Sequence, residues 1–244
     1  MTDTRLPSAR ASSPGRRKLP LPSGLGQVRP DTVQDQVYRE LRRALIYGLF
    51  DPGQVLGIQD LADQFGTSTM PVRDALSRLV TEQALEAMPN RSVRVPEVNL
   101  DRLEDLRRAR VYIEGLALEL ALPRLSPADI AELDASIQFY ERTTAVPEAM
   151  PLDDALEANR AFHFGIYERA GSPVLLPIIE SLWLQSGPLV RAAVLAFDHA
   201  SVISAPRYHA EMLVAIRAGE VAAAKVALGL DIDRTFAILK ETFR

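Results

Sequence analysis

The spacing of apolar residues predicts two short helices and a small hairpin between residues 61 and 95. The first helix is expected to end at Gly66, because glycine adopts left-handed backbone angles at little cost. Ser68 can cap the second helix, and Pro71 falls in its first turn, where a missing N–H is tolerated. Four apolar residues repeat at helical spacing and predict the buried side of this second helix: Val72, Ala75, Leu76 and Leu79.

The opposite side of the second helix carries short polar groups, one thioether and one guanidinium: Thr69, Met70, Arg73 and Ser77. Such a face can enter the major groove of DNA, where arginine reads guanine and methyl groups contact thymine. Arg73 is therefore the main candidate for base recognition, and an ion pair with Asp74 or another acid is the alternative. Asp74 and Arg78 are four residues apart and are predicted to stabilise the helix.

A hairpin and one further helix complete the N-terminal pattern. Strand-like segments at 84–88 and 92–95 flank a turn at residues 89–91, which predicts a wing with a basic tip. Before the helix pair, apolar spacing over residues 33–45 predicts a helix that packs behind it and ends near Gly48. Because a single helix that enters the groove covers only part of a turn of DNA, we expect a dimer on a two-fold site.

Beyond residue 96 the apolar pattern changes to that of long helices. They are predicted over residues 100–122, 126–144, 153–170, 173–197, 204–218 and 220–243, with an interruption at Gly187-Pro188 and a loop at 145–151. The predicted fold class is therefore mainly α, with an N-terminal winged helix-turn-helix that has a small β-wing, and a C-terminal all-α antiparallel helical bundle.

Composition narrows the cellular setting. The 244 residues include no cysteine, which removes disulfides and thiolate metal sites, and no run is apolar enough to cross a bilayer. We therefore expect a cytoplasmic protein with no membrane partner. The net charge is -4, yet residues 1–30 carry six Arg or Lys and are rich in Pro, Ser and Gly, which predicts a disordered basic arm. Arg16, Arg17 and Lys18 either contact phosphates or belong to a solvated leader.

Three motifs in order, YRELRRALIYGLFDPGQVL, LADQFGTSTMPVRDALSRL and ALEAMPNRSVRVP, resemble the winged-helix DNA-binding domain of GntR-family bacterial regulators over residues 32–96. The resemblance implies a set of DNA-contacting residues: Gln59, Ser68, Thr69, Met70, Arg73, Asn90 and Arg91. Many members have arginine at the positions of Gln59 and Thr69, and glycine at that of Ser92. Arg73 is then the remaining arginine of the set, so the operator is expected to differ from those of such members.

Two of the three histidines lie in patterns that predict a metal site. His163 follows Asn159 by four residues, so both project from one helix face, and His209 and Asp231 lie on successive later helices. Antiparallel packing of these helices can bring together two imidazoles, one carboxylate and one amide oxygen. The alternative is a pair of hydrogen-bonded histidines in a helical core. His199 is predicted to be solvated.

The segments RRARVYIEGLALELA, NRAFHFGIYERAGSP and RYHAEMLVAIRAG are similar, in order and spacing, to the ligand-binding domain of the FadR branch of the GntR family. Many members of that branch bind a divalent metal through an aspartate and a histidine four apart and two further histidines. The corresponding residues here are Asn159, His163, His209 and Asp231. Asn159 stands where the usual ligand is aspartate, and Asp231 stands where it is histidine. Such oxygen ligands favour Mn²⁺ or Mg²⁺, and Zn²⁺ and Ni²⁺ are further candidates.

The resemblance implies a ligand-responsive, dimeric repressor of a catabolic operon that responds to a small organic acid. Metal-held effectors are commonly carboxylates, and Arg110 can pair either with such a group or with Glu114 at i+4. Trp183 and Phe162 are predicted to be core residues.

The predicted domains are the arm at 1–30, the winged domain at 31–96 and an effector-binding and dimerisation domain at 100–243, with a linker at 95–99. We expect the effector to change DNA affinity by favouring one placement of the winged domains. Two alternatives stay open. One is a metal-dependent enzyme with a DNA-targeting domain, although no acid or base lies at a diagnostic spacing. The other is a nucleoid-like binder without an effector.

Overall fold

The computed structural model describes residues 32–89, 92–144, 152–196 and 205–242. The predicted arm, the wing-tip residues Asn90 and Arg91, the loop at 145–151 and His199 lie outside the described residues. The described helices are α1 (Val33–Ile46), α2 (Ile58–Gln64), α3 (Thr69–Thr81), α4 (Leu100–Ala121), α5 (Pro127–Thr144), α6 (Leu152–Tyr167), α7 (Leu175–Ala196), α8 (Ala205–Ala218) and α9 (Val221–Thr242). The described strands are β1 (Val55–Leu56), β2 (Glu86–Ala87) and β3 (Val93–Arg94).

This arrangement confirms the predicted mainly α class with a small sheet. Helices α1 to α3 and the three strands form the N-terminal winged helix-turn-helix, and helices α4 to α9 form the bundle. Among the described segments, none of the helices combines the length and the apolar character that crossing a bilayer requires.

The sheet of the winged unit contains one strand that the sequence pattern missed. Strand β3 lies between β1 and β2 and pairs antiparallel with both. Strand β1 has only two residues, too few to show the alternation of apolar and polar side chains by which strands are predicted. The wing therefore pairs with the segment between α1 and α2 through Val55 and Leu56 of β1.

The recognition helix α3 packs against α1 and differs from the sequence prediction at two side chains. Ser68 is the N-cap residue of α3, but its side chain makes no capping hydrogen bond. The predicted pair of Asp74 and Arg78 is also wrong. Arg78 instead reaches Asp35 on α1 at 3.2 Å, and its guanidinium lies 3.6 Å from the centre of the Tyr38 ring. Arg78 pairs with α1 and not with Asp74 because α1 offers both an acid, Asp35, and an aromatic ring, Tyr38, to its guanidinium.

Helix α7 runs without a break through Gly187-Pro188, so the predicted interruption there is wrong. A proline inside a helix removes one hydrogen bond, but Gly187, Pro188 and Leu189 are all buried, and this packing holds the helix together. The break signal in the sequence therefore marks a contact between helices. Local propensity alone does not reveal that contact.

The contact at Gly187 joins the winged unit to the bundle. A Cβ atom placed on Gly187 would lie 1.9 Å from the carbonyl oxygen of Leu45, and one on Gly48 would lie 2.6 Å from the carbonyl oxygen of Gly187. The backbones of α1 and α7 thus approach each other directly. Two ion pairs flank this glycine crossing: Arg42 with Glu180 at 3.1 Å and Arg191 with Asp51 at 2.9 Å.

Candidate functional site

The recognition helix α3 has one buried face and one exposed face. Its inner residues are at most 1% exposed: Val72, Ala75, Leu76 and Leu79. On the outer face Met70 is 60% exposed, and Arg73 and Ser77 are also exposed. Within the described residues Arg73 makes no ion pair, so the predicted alternative of a pair with Asp74 is not observed. The side chain of Arg73 is therefore exposed and unpaired as far as the described part of the chain is concerned.

The other predicted DNA contacts lie around this face. Thr69 begins α3, and Ser68, directly before it, is exposed. Gln59 is exposed on α2, where its side-chain amide donates a hydrogen bond to Asp63 at 2.9 Å. The predicted contribution of the wing, Asn90 and Arg91, stays a prediction because these residues are not described.

Inside the bundle, helices α6, α8 and α9 bring three of the predicted metal ligands together. His163, His209 and Asp231 are 1%, 1% and 5% exposed, respectively. Their facing atoms form a small triangle. Nε2 of His163 lies 3.2 Å from Nε2 of His209 and 3.2 Å from Oδ2 of Asp231, and the third edge, from His209 Nε2 to Asp231 Oδ2, is 3.6 Å. We call these three residues the His-Asp cluster.

In the His-Asp cluster, burial and the neighbouring charges shift the pKa values in opposite directions. Burial lowers the pKa of His209, although the neighbouring Asp231 acts in the opposite direction. Burial alone would raise the pKa of Asp231, but charge interactions and hydrogen bonds with the two imidazoles hold this pKa well below its usual range. The carboxylate is therefore kept ionised, and an ionised carboxylate is the donor state that a divalent metal requires.

The geometry of the His-Asp cluster fits a divalent ion. A triangle with these edges has a circumscribed radius of about 1.9 Å, so a point about 2.1 Å from all three atoms lies just outside their plane, at the usual metal–nitrogen distance of zinc sites. Within the described residues the second carboxylate oxygen of Asp231, Oδ1, is buried without a hydrogen-bond partner. Two neutral imidazoles and one carboxylate suit several divalent metals, and this set does not select one of them.

Asn159, the fourth predicted ligand, precedes His163 by one turn on α6 and is half-buried. Its position on the helix agrees with the predicted face, and its role as a ligand stays a prediction. Two aromatic rings pack around the His-Asp cluster. The Phe162 ring stacks on that of His209 at 4.3 Å, and the Trp183 ring lies 5.4 Å from that of His163. Both aromatic residues are buried in the core.

Behind His163 lies a buried polar chain that the sequence reasoning did not assemble. Nδ1 of His163 is 3.1 Å from the hydroxyl of Tyr167, and this hydroxyl donates to Oε2 of Glu114 at 2.5 Å. Glu114 receives two hydrogen bonds from Arg110, at 2.6 and 3.3 Å. Nη1 of Arg110 lies 3.4 Å from the hydroxyl of Ser186 on α7. We call these four residues behind His163 the polar chain.

The polar chain bears on two sequence inferences. For Arg110, the ion pair with Glu114 is the alternative that the structure describes, and contact with an effector stays a prediction. Tyr167 was missed, although it follows His163 by four residues and so shares its helix face. That spacing was the available signal. Burial raises the pKa of Tyr167 well above its usual range, and Glu114 adds to the effect, so its hydroxyl keeps the proton that it donates.

Comparison with known proteins places both halves of the chain. Residues 33–95 match the gntR family of bacterial regulatory proteins, and residues 105–234 match the FCD domain. The HTH-type transcriptional regulator McbR of Escherichia coli K12 is 31% identical over 220 residues, which cover 90% of this chain and 98% of McbR. The HTH-type transcriptional repressor RspR of the same strain is 25% identical, over 69% of this chain and 72% of RspR.

Solved structures agree with this placement. The E. coli McbR/YncC structure superimposes with a TM-score of 0.79 and 30% identity, covering 88% of this chain and all of that one. A GntR transcriptional regulator from Rhodococcus sp. RHA1 shares the fold, with a TM-score of 0.68 and 21% identity over 86% of this chain and 99% of that one. The similar proteins are transcription regulators and not enzymes.

Proposed function

Because the chain belongs to the GntR family of bacterial transcriptional regulators and carries an FCD effector-binding domain, we propose that it is a dimeric repressor that a small carboxylate releases from its operator. Regulation of transcription follows from the family. Repression is supported by two similar proteins of E. coli K12, RspR and GlaR, both of which are described as transcriptional repressors. Binding to chromosomal DNA would place the protein in the cytoplasm.

The observation that carries the DNA-binding part is the two-sided character of α3. Its inner side is buried in the core of the winged unit, while Met70, Arg73 and Ser77 are exposed on the outer side. A guanidinium on the outer side of a recognition helix can bind O6 and N7 of guanine together, which is worth about 1 to 3 kcal/mol of discrimination. One such helix reads part of a half-site, so two copies on a two-fold operator are proposed.

The effector-binding part rests on the His-Asp cluster. We assign His163, His209 and Asp231 as metal ligands, with Asn159 as the fourth, in agreement with the donor triangle and the buried Oδ1 of Asp231. A divalent ion held by two neutral imidazoles and one carboxylate keeps a net positive charge and attracts an anionic oxygen, which favours a carboxylate effector. Arg110 is already engaged by Glu114, so we propose the ion as the first anchor of the effector.

We predict that Arg73→Ala flattens base preference at one position of each half-site and costs about 1 to 3 kcal/mol of binding free energy per half-site, which is about 5- to 160-fold in affinity for each. The measurement is a fluorescence-anisotropy titration against the operator and single-base variants of it at fixed salt. If the variant changes only the salt dependence of binding, Arg73 contacts a phosphate and does not read a base.

Arg78→Ala is the matched control for this test. Arg78 lies on the same helix and is also exposed, but it is committed to Asp35 and to the Tyr38 ring. Its loss should leave base preference unchanged and lower stability slightly, since exposed ion pairs contribute little. If Arg78→Ala and Arg73→Ala alter base preference equally, the orientation proposed for α3 on DNA is wrong.

A further inference from the structure

We propose that Tyr167 is a positioning residue that fixes the His163 ring so that its Nε2 lone pair points at the metal position, with Glu114 and Arg110 holding Tyr167 in turn. This inference rests on the metal site of the proposed function. It concerns three residues outside the predicted ligand set. Every link in the chain is a described contact between buried groups.

The direction of the hydrogen bonds follows from the far end of the polar chain. Arg110 carries a positive charge and donates both of its bonds to Glu114, so this carboxylate is an acceptor. The Tyr167 hydroxyl has one proton and gives it to Oε2 of Glu114. Its oxygen can then only accept from the imidazole, and Nδ1 of His163 must be the atom that carries the hydrogen.

For the neutral ring, that assignment fixes what the other nitrogen presents to the His-Asp cluster. With the hydrogen on Nδ1, neutral His163 has a lone pair on Nε2, and this lone pair faces Oδ2 of Asp231 at 3.2 Å. Two acceptor atoms at this distance repel each other unless a cation or a proton lies between them. A metal ion in the triangle satisfies both atoms, so the polar chain prepares His163 for the ion.

The surroundings of the polar chain make it rigid. Arg110 and Glu114 are 3% and 0% exposed. Because a buried charge without its partner strongly destabilises the folded state, the two side chains stay paired. The guanidinium of Arg110 also lies 4.6 Å from the centre of the Trp183 ring and touches Ser186, which ties it to α7. The orientation of His163 is thus set from α4 and α7 together.

Removal of one oxygen atom tests this inference. In Tyr167→Phe the ring stays and the hydroxyl is lost, so the His163 hydrogen is expected to move to Nε2, where Asp231 accepts it. The metal must then displace that hydrogen. We expect the affinity for Zn²⁺ or Mn²⁺, measured by competition with a chromophoric chelator, to fall about 10- to 100-fold, which is typical for loss of an outer partner.

Tyr38→Phe is the matched control. The Tyr38 hydroxyl also donates to a glutamate at 2.5 Å, to Glu82 in the winged unit, so the same chemical change there should leave metal affinity unchanged. An equal loss of metal affinity in both variants, or an unchanged affinity in Tyr167→Phe, would overturn the inference.

Nitrogen-15 NMR of the metal-free wild type gives a second test that needs no substitution. We expect Nδ1 of His163 to carry a hydrogen, and a ring protonated on Nε2 alone would contradict the inference. This measurement stands apart from the proposed function. If the wild type binds no metal, the metal site fails, while the ring form of His163 still reports on the polar chain.

Discussion

Replacement of His209 by alanine is expected to lower the affinity for divalent metal by more than about 100-fold, because it removes one of three converging donors. A ligand that binds only the folded state stabilises it by about 2.7 kcal/mol at 100 times its dissociation constant. The wild type should therefore show a clear metal-dependent rise in melting temperature, and His209→Ala should not. Thermal unfolding with and without added Zn²⁺ or Mn²⁺ measures both.

Glu211→Gln is the control for this substitution. Glu211 lies on the same helix, but its side chain is exposed and pairs with Arg207 at 2.9 Å, so it can bind metal only weakly and non-specifically. The control should keep the full metal-dependent rise. If metal stabilises His209→Ala as much as the wild type, or if carefully prepared wild type neither contains nor binds a divalent ion, the assignment of the His-Asp cluster is wrong.

The second large effect is expected where α1 and α7 approach each other at Gly48 and Gly187. Gly187→Ala places a Cβ atom 1.9 Å from the carbonyl oxygen of Leu45, a distance that backbone atoms cannot accommodate without moving α1 or α7. Overpacking of this kind costs about 3 kcal/mol. We expect the winged unit to separate from the bundle, so that calorimetry shows two unfolding transitions in place of one and the linker at 95–99 becomes sensitive to protease.

Gly229→Ala gives the opposite result under the same chemical change. Gly229 lies within α9, and a Cβ atom there would meet nothing within 4 Å. Alanine is a better helix former than glycine, so this variant should be more stable by about 1 kcal/mol. If Gly187→Ala unfolds in one transition at the wild-type temperature, the close approach of α1 and α7 is not a feature of the protein in solution.

Elements that depend on local chemistry were predictable from the sequence. Apolar spacing gives the helices of both halves, and Ser126 and Asp129, three residues apart, make the reciprocal hydrogen bonds of a capping box at the start of α5. The His-Asp cluster was also within reach, because each helix carries its ligand at a position where antiparallel packing brings the three together. The resemblance to FadR-branch regulators implies the same three residues as metal ligands.

Features that depend on contacts between distant segments were not predictable. Gly187-Pro188 has the composition of a helix break, but it lies inside the continuous helix α7, where the absence of a side chain on Gly187 lets α1 approach closely. Arg78 prefers Asp35, 43 residues away, to a neighbour on its own helix. Tyr167 had the right spacing from His163, but its role depends on Glu114, which only the packing of α4 against α6 brings into reach.

We propose above that the outer face of α3 reads duplex DNA as part of a two-fold assembly. A footprint of the purified protein on the DNA upstream of its own gene tests it most directly. We predict two protected half-sites, about one helical turn apart, that Arg73→Ala weakens and that an organic acid with divalent metal releases. Uniform coverage without preferred sites, or no protection of any double-stranded fragment from that region, would contradict the account.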